Sequence, residues 1–279
     1  MTGYRTFMAG ETLKTIDRTL QVLSMFSRSR PELTVAELVE TLGFPRAVVT
    51  RIVATLEKAQ FLERAPGSFK YRIGIAACEL GATYLAGNAL TDASRDILRE
   101  LAQHTGFTVY LGARQASDVV ILGSHEGHIQ VRFTWAVGDR LPIATTALGK
   151  AMLLHMSSQE IDSLLGTDIL PGLTTSSITK RKMLDAQLGE YNGKGWIPAF
   201  EESLPGVYAV GAALLDASQK PVAGISISFL RYADDPEQVE RMGEAVLEAA
   251  RAINRRIAPH YAYHAERKVH SLSKSYASG

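Results

Sequence analysis

The amino-acid sequence predicts an α+β protein with two domains. We expect a small N-terminal domain of helices and one hairpin, followed by a larger domain with a central antiparallel sheet flanked by helices. The chain has 279 residues, which favours two domains over one. Apolar residues recur at helical spacing near the N-terminus, whereas strand-like runs follow later. The N-terminal part also differs in charge from the remainder.

The composition is that of an ordinary globular protein. Hydrophobic residues make up 46% of the chain and charged residues 21%, which excludes disordered and collagen-like classes. The single cysteine, Cys78, excludes an internal disulfide and a thiolate zinc site. The N-terminus lacks the apolar segment of a signal peptide, and the longest apolar run, Val207–Leu215, is far shorter than the ~20 residues of a membrane span. We therefore expect a soluble, cytoplasmic protein without a membrane partner.

Charge is distributed unevenly along the chain. Residues 1–74 contain 11 Lys and Arg against 7 Asp and Glu, whereas residues 91–260 contain 16 against 20. Phosphate contacts require Lys and Arg, so only the first segment is expected to approach a polyanion. When this surplus is considered alone, solvated surface charges are its commoner explanation.

Three helices are predicted in the N-terminal segment. Apolar residues recur every three or four positions over residues 12–27, which indicates an amphipathic helix. Thr34 and Glu37 form the pattern of a capping box for a second helix, which Gly43 ends. Pro45 suits the first position of a third helix. Two helices joined by a turn that contains glycine are typical of a helix-turn-helix.

A hairpin follows the third helix. Residues 61–64 and 70–73 are strand-like, and a Pro-Gly-Ser turn separates them. Such a hairpin after a helix-turn-helix is a wing, and its basic and polar side chains are of the kinds that contact the DNA backbone. The start of the third helix is expected to present side chains to base edges, where Arg46 and Arg51 are suited to guanine. The predicted contacts with double-stranded DNA are Thr34, Pro45, Arg46, Ala47, Thr50, Arg51, Arg64, Ser68, Lys70 and Tyr71.

These residues resemble the IclR family of bacterial transcriptional regulators. The resemblance begins with TLKTIDRTLQVLSMFS and LTVAELVETLGFPRAVVTRIVATLEKAQFLER, includes YRIG, and returns in LPIATTALGKAMLLH, GWIPAFEESLPGVYAVGAALLD and PVAGISISF. It implies a winged helix-turn-helix, a linker helix and a GAF-like effector-binding domain. It also implies a homodimer or homotetramer on a palindromic operator, and we expect a repressor. The third helix departs from the family's polar triplet at Arg46, Ala47 and Val48, so base contacts are not transferred.

Four segments are expected on this basis. The winged helix-turn-helix domain covers residues 1–74, the linker helix residues 75–90, the effector-binding domain residues 91–260, and a disordered tail residues 261–279. Cys78 is expected to be a small buried hydrophobic residue of the linker helix. The helix that follows is expected to begin at Thr91 or Asp92.

The C-terminal segment alternates between strand and helix patterns. Strands are predicted at residues 107–114, 118–127, 129–134, 195–200, 207–216 and 221–229. Helices are predicted at residues 145–156, 158–165, 179–194 and 235–257. This order is that of a sensor domain of the GAF or PAS type.

The obvious patterns of catalysis are absent. The sequence ALGKA lacks the residues of a phosphate-binding loop before and after it, and no GxSxG motif occurs. Glu201 and Glu202 are adjacent on a predicted strand, so they point to opposite faces. We expect no catalytic residue and no cofactor.

Two histidines leave an alternative open. His125 and His128, with Glu126 between them, offer a possible metal site, although histidines in a turn with glycine are more typical of a surface. We expect no metal. The alternative is an enzyme or a metal-dependent sensor whose centre lies within residues 107–260.

A ligand pocket is predicted in the second domain. Ser226 and Ser228 lie on one strand face, and the helix that begins near Ala147 offers an N-terminus to an anion. From the residues alone, the preferred interpretation is that both serines only fill the sheet face. The resemblance implies that a small-molecule acid is held by Ala147, Leu148, Ala199, Ala209, Ser226 and Ser228.

Two of these positions indicate the kind of acid. Family members that bind small ketoacids have an acidic residue in place of Ala199 and a cysteine in place of Ala209. Alanine makes the pocket roomier and less polar, with Phe133, Trp135 and Phe200 as its expected aromatic wall. The sequence therefore favours an aromatic or larger organic acid.

Overall fold

The computed structural model describes residues 13–129, 135–166, 168–230 and 236–276, with side chains up to residue 258. The chain divides into two compact units, Met1–Gly87 and Asn88–Gly279. The α+β class is confirmed. No helix within the described ranges is long and apolar enough to cross a membrane.

From residue 13 onward, where the structure describes it, the N-terminal unit contains four helices and a small sheet. The helices are α1 (Lys14–Ser24), α2 (Val35–Leu42), α3 (Arg46–Lys58) and α4 (Ile75–Ala86). The strands are β1 (Glu32–Leu33), β2 (Leu62–Arg64) and β3 (Tyr71–Ile73), in the order β1-β3-β2. The predicted wing is therefore present, but its third strand, β1, was not predicted.

Local signals define α2 and α3. The Oγ1 of Thr34 accepts a hydrogen bond from the Glu37 N–H (3.2 Å), and a Glu37 carboxylate oxygen accepts one from the Thr34 N–H (2.7 Å). This capping box is the predicted one. Gly43 ends α2 in the left-handed region (φ 68°), as predicted. Pro45 is the N-cap of α3, one position before the predicted one.

The linker helix α4 differs from its prediction. It has no buried side chain, and Cys78 is exposed, so the prediction that this thiol is buried is wrong. The apolar residues of α4 are spread over its whole circumference. Their pattern therefore does not indicate which face of the helix packs. The helix ends at Ala86, because the Asn88 side chain caps a new helix through the Leu90 N–H (3.0 Å). Neither Thr91 nor Asp92 is that cap.

The described residues of the C-terminal unit form six strands. They are β4 (Thr108–Gln115), β5 (Asp118–His125), β6 (Arg140–Pro142), β7 (Trp196–Phe200), β8 (Val207–Leu215) and β9 (Pro221–Leu230). They form one antiparallel sheet in the order β6-β5-β4-β9-β8-β7. The strand predicted at residues 129–134 falls almost entirely outside the described residues.

Helices cover both faces of this sheet. They are α5 (Ala89–Thr105), α6 (Ala147–Leu153), α7 (Ser158–Leu165), α8 (Arg181–Tyr191) and α9 (Pro236–Tyr276). One core joins α5 and α9 to alternate strand residues such as Val109 and Ile227. The other core joins α6, α7 and α8 to the intervening residues, among them Tyr110 and Ile197. The second face carries the site described below.

Helix α9 continues beyond its prediction. It reaches Tyr276 and includes most of the segment 261–279, for which a disordered tail was expected. The sequence from residue 260 to residue 278 contains neither proline nor glycine, the residues that most strongly end a helix. The helical pattern therefore has no local stop in this segment.

Candidate functional site

Helix α3 has one buried face and one open face. Val49, Ile52, Val53 and Leu56 are buried in the core of the N-terminal unit. The predicted contact residues Pro45, Arg46, Ala47, Thr50 and Arg51 are all exposed. No ion pair within the described ranges engages the guanidinium of Arg46 or Arg51. Both arginines are therefore available to an external acceptor such as a base edge.

The wing uses several predicted contact residues internally. The Arg64 Nη2 donates to the Tyr71 hydroxyl (2.8 Å), and its Nε lies 3.3 Å from a Glu57 carboxylate oxygen. Tyr71 is only 6% exposed. Arg64 and Tyr71 thus stabilise the wing against α3, which competes with the predicted phosphate contacts.

The remaining predicted contact residues, two in the wing and one at the start of α2, differ in exposure. Lys70 is exposed, and the half-buried Ser68 accepts a hydrogen bond from the Lys70 N–H at its Oγ (3.1 Å). The Thr34 hydroxyl is already engaged by the Glu37 carboxylate and N–H of the capping box. The wing also exposes Phe69, which the predicted contacts did not include. Lys70 is the predicted wing residue best placed for a phosphate.

The C-terminal unit has a pocket between α6 and the sheet. Its lining includes all six residues predicted for the ligand, namely Ala147, Leu148, Ala199, Ala209, Ser226 and Ser228. Tyr110, Trp135, Ser203 and Leu204 also line it. These residues surround a space of about 470 Å³, open mouth included.

Strand pairing brings the floor of the pocket together. Ser226 is paired with Tyr110 of β4, and Ser228 is paired with Ala209 of β8. Ala209 is in turn paired with Ala199 of β7. Paired residues point to the same side of an antiparallel sheet, so these five side chains share one face.

Two glycines allow α6 to lie directly on this face. A Cβ atom on Gly211 would lie 2.6 Å from the Leu148 nitrogen, and one on Gly224 would lie 2.9 Å from the Leu148 carbonyl carbon. Both distances are shorter than real Cβ contacts, and the atoms they meet are backbone. The first turn of α6 consequently contacts the sheet through its main chain.

The polar groups of the pocket are hydroxyls and backbone. Thr146 caps α6 and accepts from the Gly149 N–H (3.1 Å), while the Ser203 hydroxyl donates to the Thr145 carbonyl (2.5 Å). No hydrogen bond from another described residue engages the hydroxyls of Ser226 and Ser228. These two groups are available to a ligand.

Tyr110 contributes a third available hydroxyl. This group is buried and has no hydrogen-bond partner among the described residues. Burial, reinforced by the charge of Glu126 and opposed by the nearby Trp135 backbone, raises the pKa of Tyr110 to about 12. The phenol is therefore neutral and remains a hydrogen-bond donor.

The expected aromatic wall is only partly present. Trp135 lines the pocket, whereas Phe200 does not. Phe200 is 37% exposed and packs against the Tyr208 ring, with 4.8 Å between the ring centroids. Adjacent strand residues point to opposite faces, and Ala199 already faces the pocket. Phe133 lies outside the described residues.

A buried ion pair supports α6 beside the pocket. The Lys150 ammonium lies 2.5 Å from a Glu202 carboxylate oxygen and 2.8 Å from the Gln187 side-chain oxygen. Burial lowers the pKa of Lys150 and raises that of Glu202, and the contact between them opposes both effects. Glu201 turns away and accepts from the Gly206 N–H (3.2 Å). The lysine of ALGKA is therefore occupied inside the protein.

The predicted histidines do not form a metal cluster in the described part of the chain. No group of three or more His, Cys, Asp or Glu side chains there is placed to hold a metal ion. His125 is half-buried, and burial lowers its pKa. The available chemistry is hydrogen bonding from hydroxyls and backbone.

Known proteins resemble the chain over most of its length. HTH-type transcriptional regulator XynR of Escherichia coli is 24% identical over 87% of the chain and 96% of that protein. HTH-type transcriptional regulator BhcR of Paracoccus denitrificans is 28% identical over 88% of each. The crystal structure of an IclR regulator from Alicyclobacillus acidocaldarius superimposes with a TM-score of 0.78 and 25% identity, over 88% of the chain and 99% of that structure.

The sequence models of two protein-family domains match separate parts of the chain. The IclR helix-turn-helix domain matches residues 15–66, and the bacterial transcriptional regulator IclR C-terminal domain matches residues 82–255. The first range contains α1 except for its first residue, together with α2 and α3, and the second contains the pocket. The chain therefore belongs to the IclR family of bacterial transcriptional regulators.

Proposed function

We propose that the chain is a ligand-responsive repressor, not an enzyme, whose operator binding changes when an organic acid occupies the pocket between α6 and the sheet. The observation that carries this proposal is the convergence of unengaged hydroxyls on a pocket in the regulator's C-terminal unit. Its relatives include the transcriptional repressor IclR of Escherichia coli, which is 25% identical. We further propose a homodimer or homotetramer that acts in the cytoplasm on a palindromic operator.

The chemistry of the pocket favours an acid that is held by hydrogen bonds. No Lys, Arg or His side chain lines it among the described residues. A carboxylate buried there needs several donors, since an unpaired buried charge is very costly. Ser226 and Ser228 supply two, and the first-turn N–H groups at Ala147 and Leu148 supply others, because such groups lack intrahelical partners.

The shape of the pocket favours a planar ligand. Trp135 and Tyr110 provide aromatic walls, while Ala199 and Ala209 leave space that larger side chains would fill. An IclR homologue from Microbacterium hydrocarbonoxydans was crystallised with 4-hydroxybenzoate, and its structure superimposes with a TM-score of 0.72 and 20% identity, over 88% of the chain and 99% of that structure.

The pocket assignment is tested by removing its hydroxyls. In a thermal-shift screen of aromatic and aliphatic acids, the full chain should be stabilised by at least one acid. The double variant Ser226→Ala with Ser228→Ala should lose this stabilisation but keep its operator affinity. Ser163→Ala, an exposed serine on α7, is the matched control. Undiminished stabilisation of the double variant would place the ligand elsewhere.

A further inference from the structure

The tip of the wing holds its shape through backbone contacts. The Ala65 N–H donates to the Lys70 carbonyl (2.9 Å), and the Ser68 N–H donates to the Ala65 carbonyl (3.1 Å). Arg64, directly before this turn, is bonded to Tyr71 and lies against Glu57 of α3. The tip is therefore tied to the same helix that presents Arg46 and Arg51.

Phe69 projects from this tip into solvent. Its side chain is 85% exposed, whereas Ala65 in the same turn is buried. Single exposed apolar residues are common on protein surfaces, so exposure alone assigns no role. The position of Phe69 is informative because it directly precedes the exposed Lys70. The first strand of the same hairpin, β2, lies within the matched helix-turn-helix domain, which ends at residue 66.

We propose that Phe69 is a wedge that enters the minor groove of the operator and bends it. With α3 in the major groove, the wing lies over the neighbouring groove, and Lys70 holds it to the phosphates. The phenyl ring then inserts between base pairs, as apolar wedges of other minor-groove proteins do. Unstacking costs least at flexible pyrimidine–purine steps such as TA. Phe69 thus adds sequence preference at a step that α3 does not touch.

The charge of the surroundings favours DNA over a second protein chain as the occupant. Lys70 is exposed, and no ion pair in the described part of the wing engages it. A basic residue next to an apolar tip suits a groove lined by phosphates. Contact between two copies through Phe69 is the competing outcome, and the experiment below separates the two.

The test compares variants that replace the apolar residue Phe69 or the basic residue Lys70 of the wing, all on one operator. The operator is selected from random duplexes with the full chain, and its bend is measured by energy transfer between dyes at its ends. Phe69→Ala should weaken binding about tenfold, because burial of a phenyl ring is worth more than this before unstacking is subtracted. The bend should decrease, and the dependence of affinity on salt should not change, since no charge is lost.

Three further variants make the comparison specific. Lys70→Ala should reduce the slope of log affinity against log salt concentration by about one, which corresponds to the loss of one phosphate contact. Phe69→Leu should keep part of the bend. Ile169→Ala removes an equally exposed apolar side chain from the C-terminal unit and should leave DNA binding unchanged.

Several results would overturn the proposal. The proposal fails if Phe69→Ala binds and bends the operator as the unaltered chain does. It also fails if replacing a TA step beneath the wing by AA weakens binding of the unaltered chain and of Phe69→Ala equally. A change in sedimentation of Phe69→Ala without DNA would show that Phe69 joins two copies instead. If Arg51→Ala also had no effect, the placement of α3 in the major groove would fail as well.

Discussion

Replacing Glu202 with glutamine should destabilise the C-terminal unit strongly. The Lys150 side chain is 0% exposed and Glu202 is 3% exposed, so the substitution leaves a buried ammonium without its counter-charge. Removing one partner of a buried ion pair typically lowers the free energy of unfolding by about 3–5 kcal/mol. The Gln187 oxygen, 2.8 Å from the same ammonium, remains as a neutral acceptor and keeps the expected loss near the lower limit.

Fluorescence reports this loss selectively. The two tryptophans, Trp135 and Trp196, both belong to the C-terminal unit, so their emission during urea denaturation follows that unit. Glu240→Gln is the control, since its pair with Lys194 is half-exposed and such pairs are worth at most about 1 kcal/mol. The double variant Lys150→Met with Glu202→Gln should recover stability. Equal losses in Glu202→Gln and Glu240→Gln would refute a buried, charged pair.

Two further predictions concern the N-terminal unit. Arg46→Ala and Arg51→Ala should each weaken specific operator binding by about 1–3 kcal/mol, whereas Lys70→Ala should weaken binding to operator and random duplexes alike in gel shifts. Hydrogen bonds from the Thr34 backbone and side chain lower the pKa of Glu37 below its usual 4.5, so its contribution to stability is present above that value and is lost as the pH falls through the folded pKa. Thermal unfolding followed by circular dichroism should therefore show a difference between the unaltered chain and Glu37→Gln that shrinks in acid, and a difference independent of pH would contradict the capping role.

Features that depend on neighbouring residues were predictable from the sequence. The capping box of Thr34 and Glu37 and the end of α2 at Gly43 are local patterns, and they occur where expected. The alternation along β9 placed Ser226 and Ser228 on one face, because strand periodicity requires it. The gathering of the six ligand residues around one pocket came from the family resemblance.

Features that depend on distant contacts were not predictable. Strand β1 has two residues and exists because Glu32 and Leu33 are paired with β3 almost forty positions later. The bond between Arg64 and Tyr71 likewise requires the hairpin to be folded. The exposure of Cys78 depends on which surfaces pack against α4, and a helix with apolar residues on every side carries no pattern that decides this.

Because α6 contacts the sheet through the main chain at Gly211 and Gly224, the residues that position this helix differ from those that shape the ligand space. The position of α6 depends on backbone against backbone, where any added side chain would collide. The neighbouring positions Ala199 and Ala209 line the pocket with small side chains. Substitutions there alter which molecule fits while the helix stays in place, so a scaffold of this kind acquires a new ligand by changes at few positions.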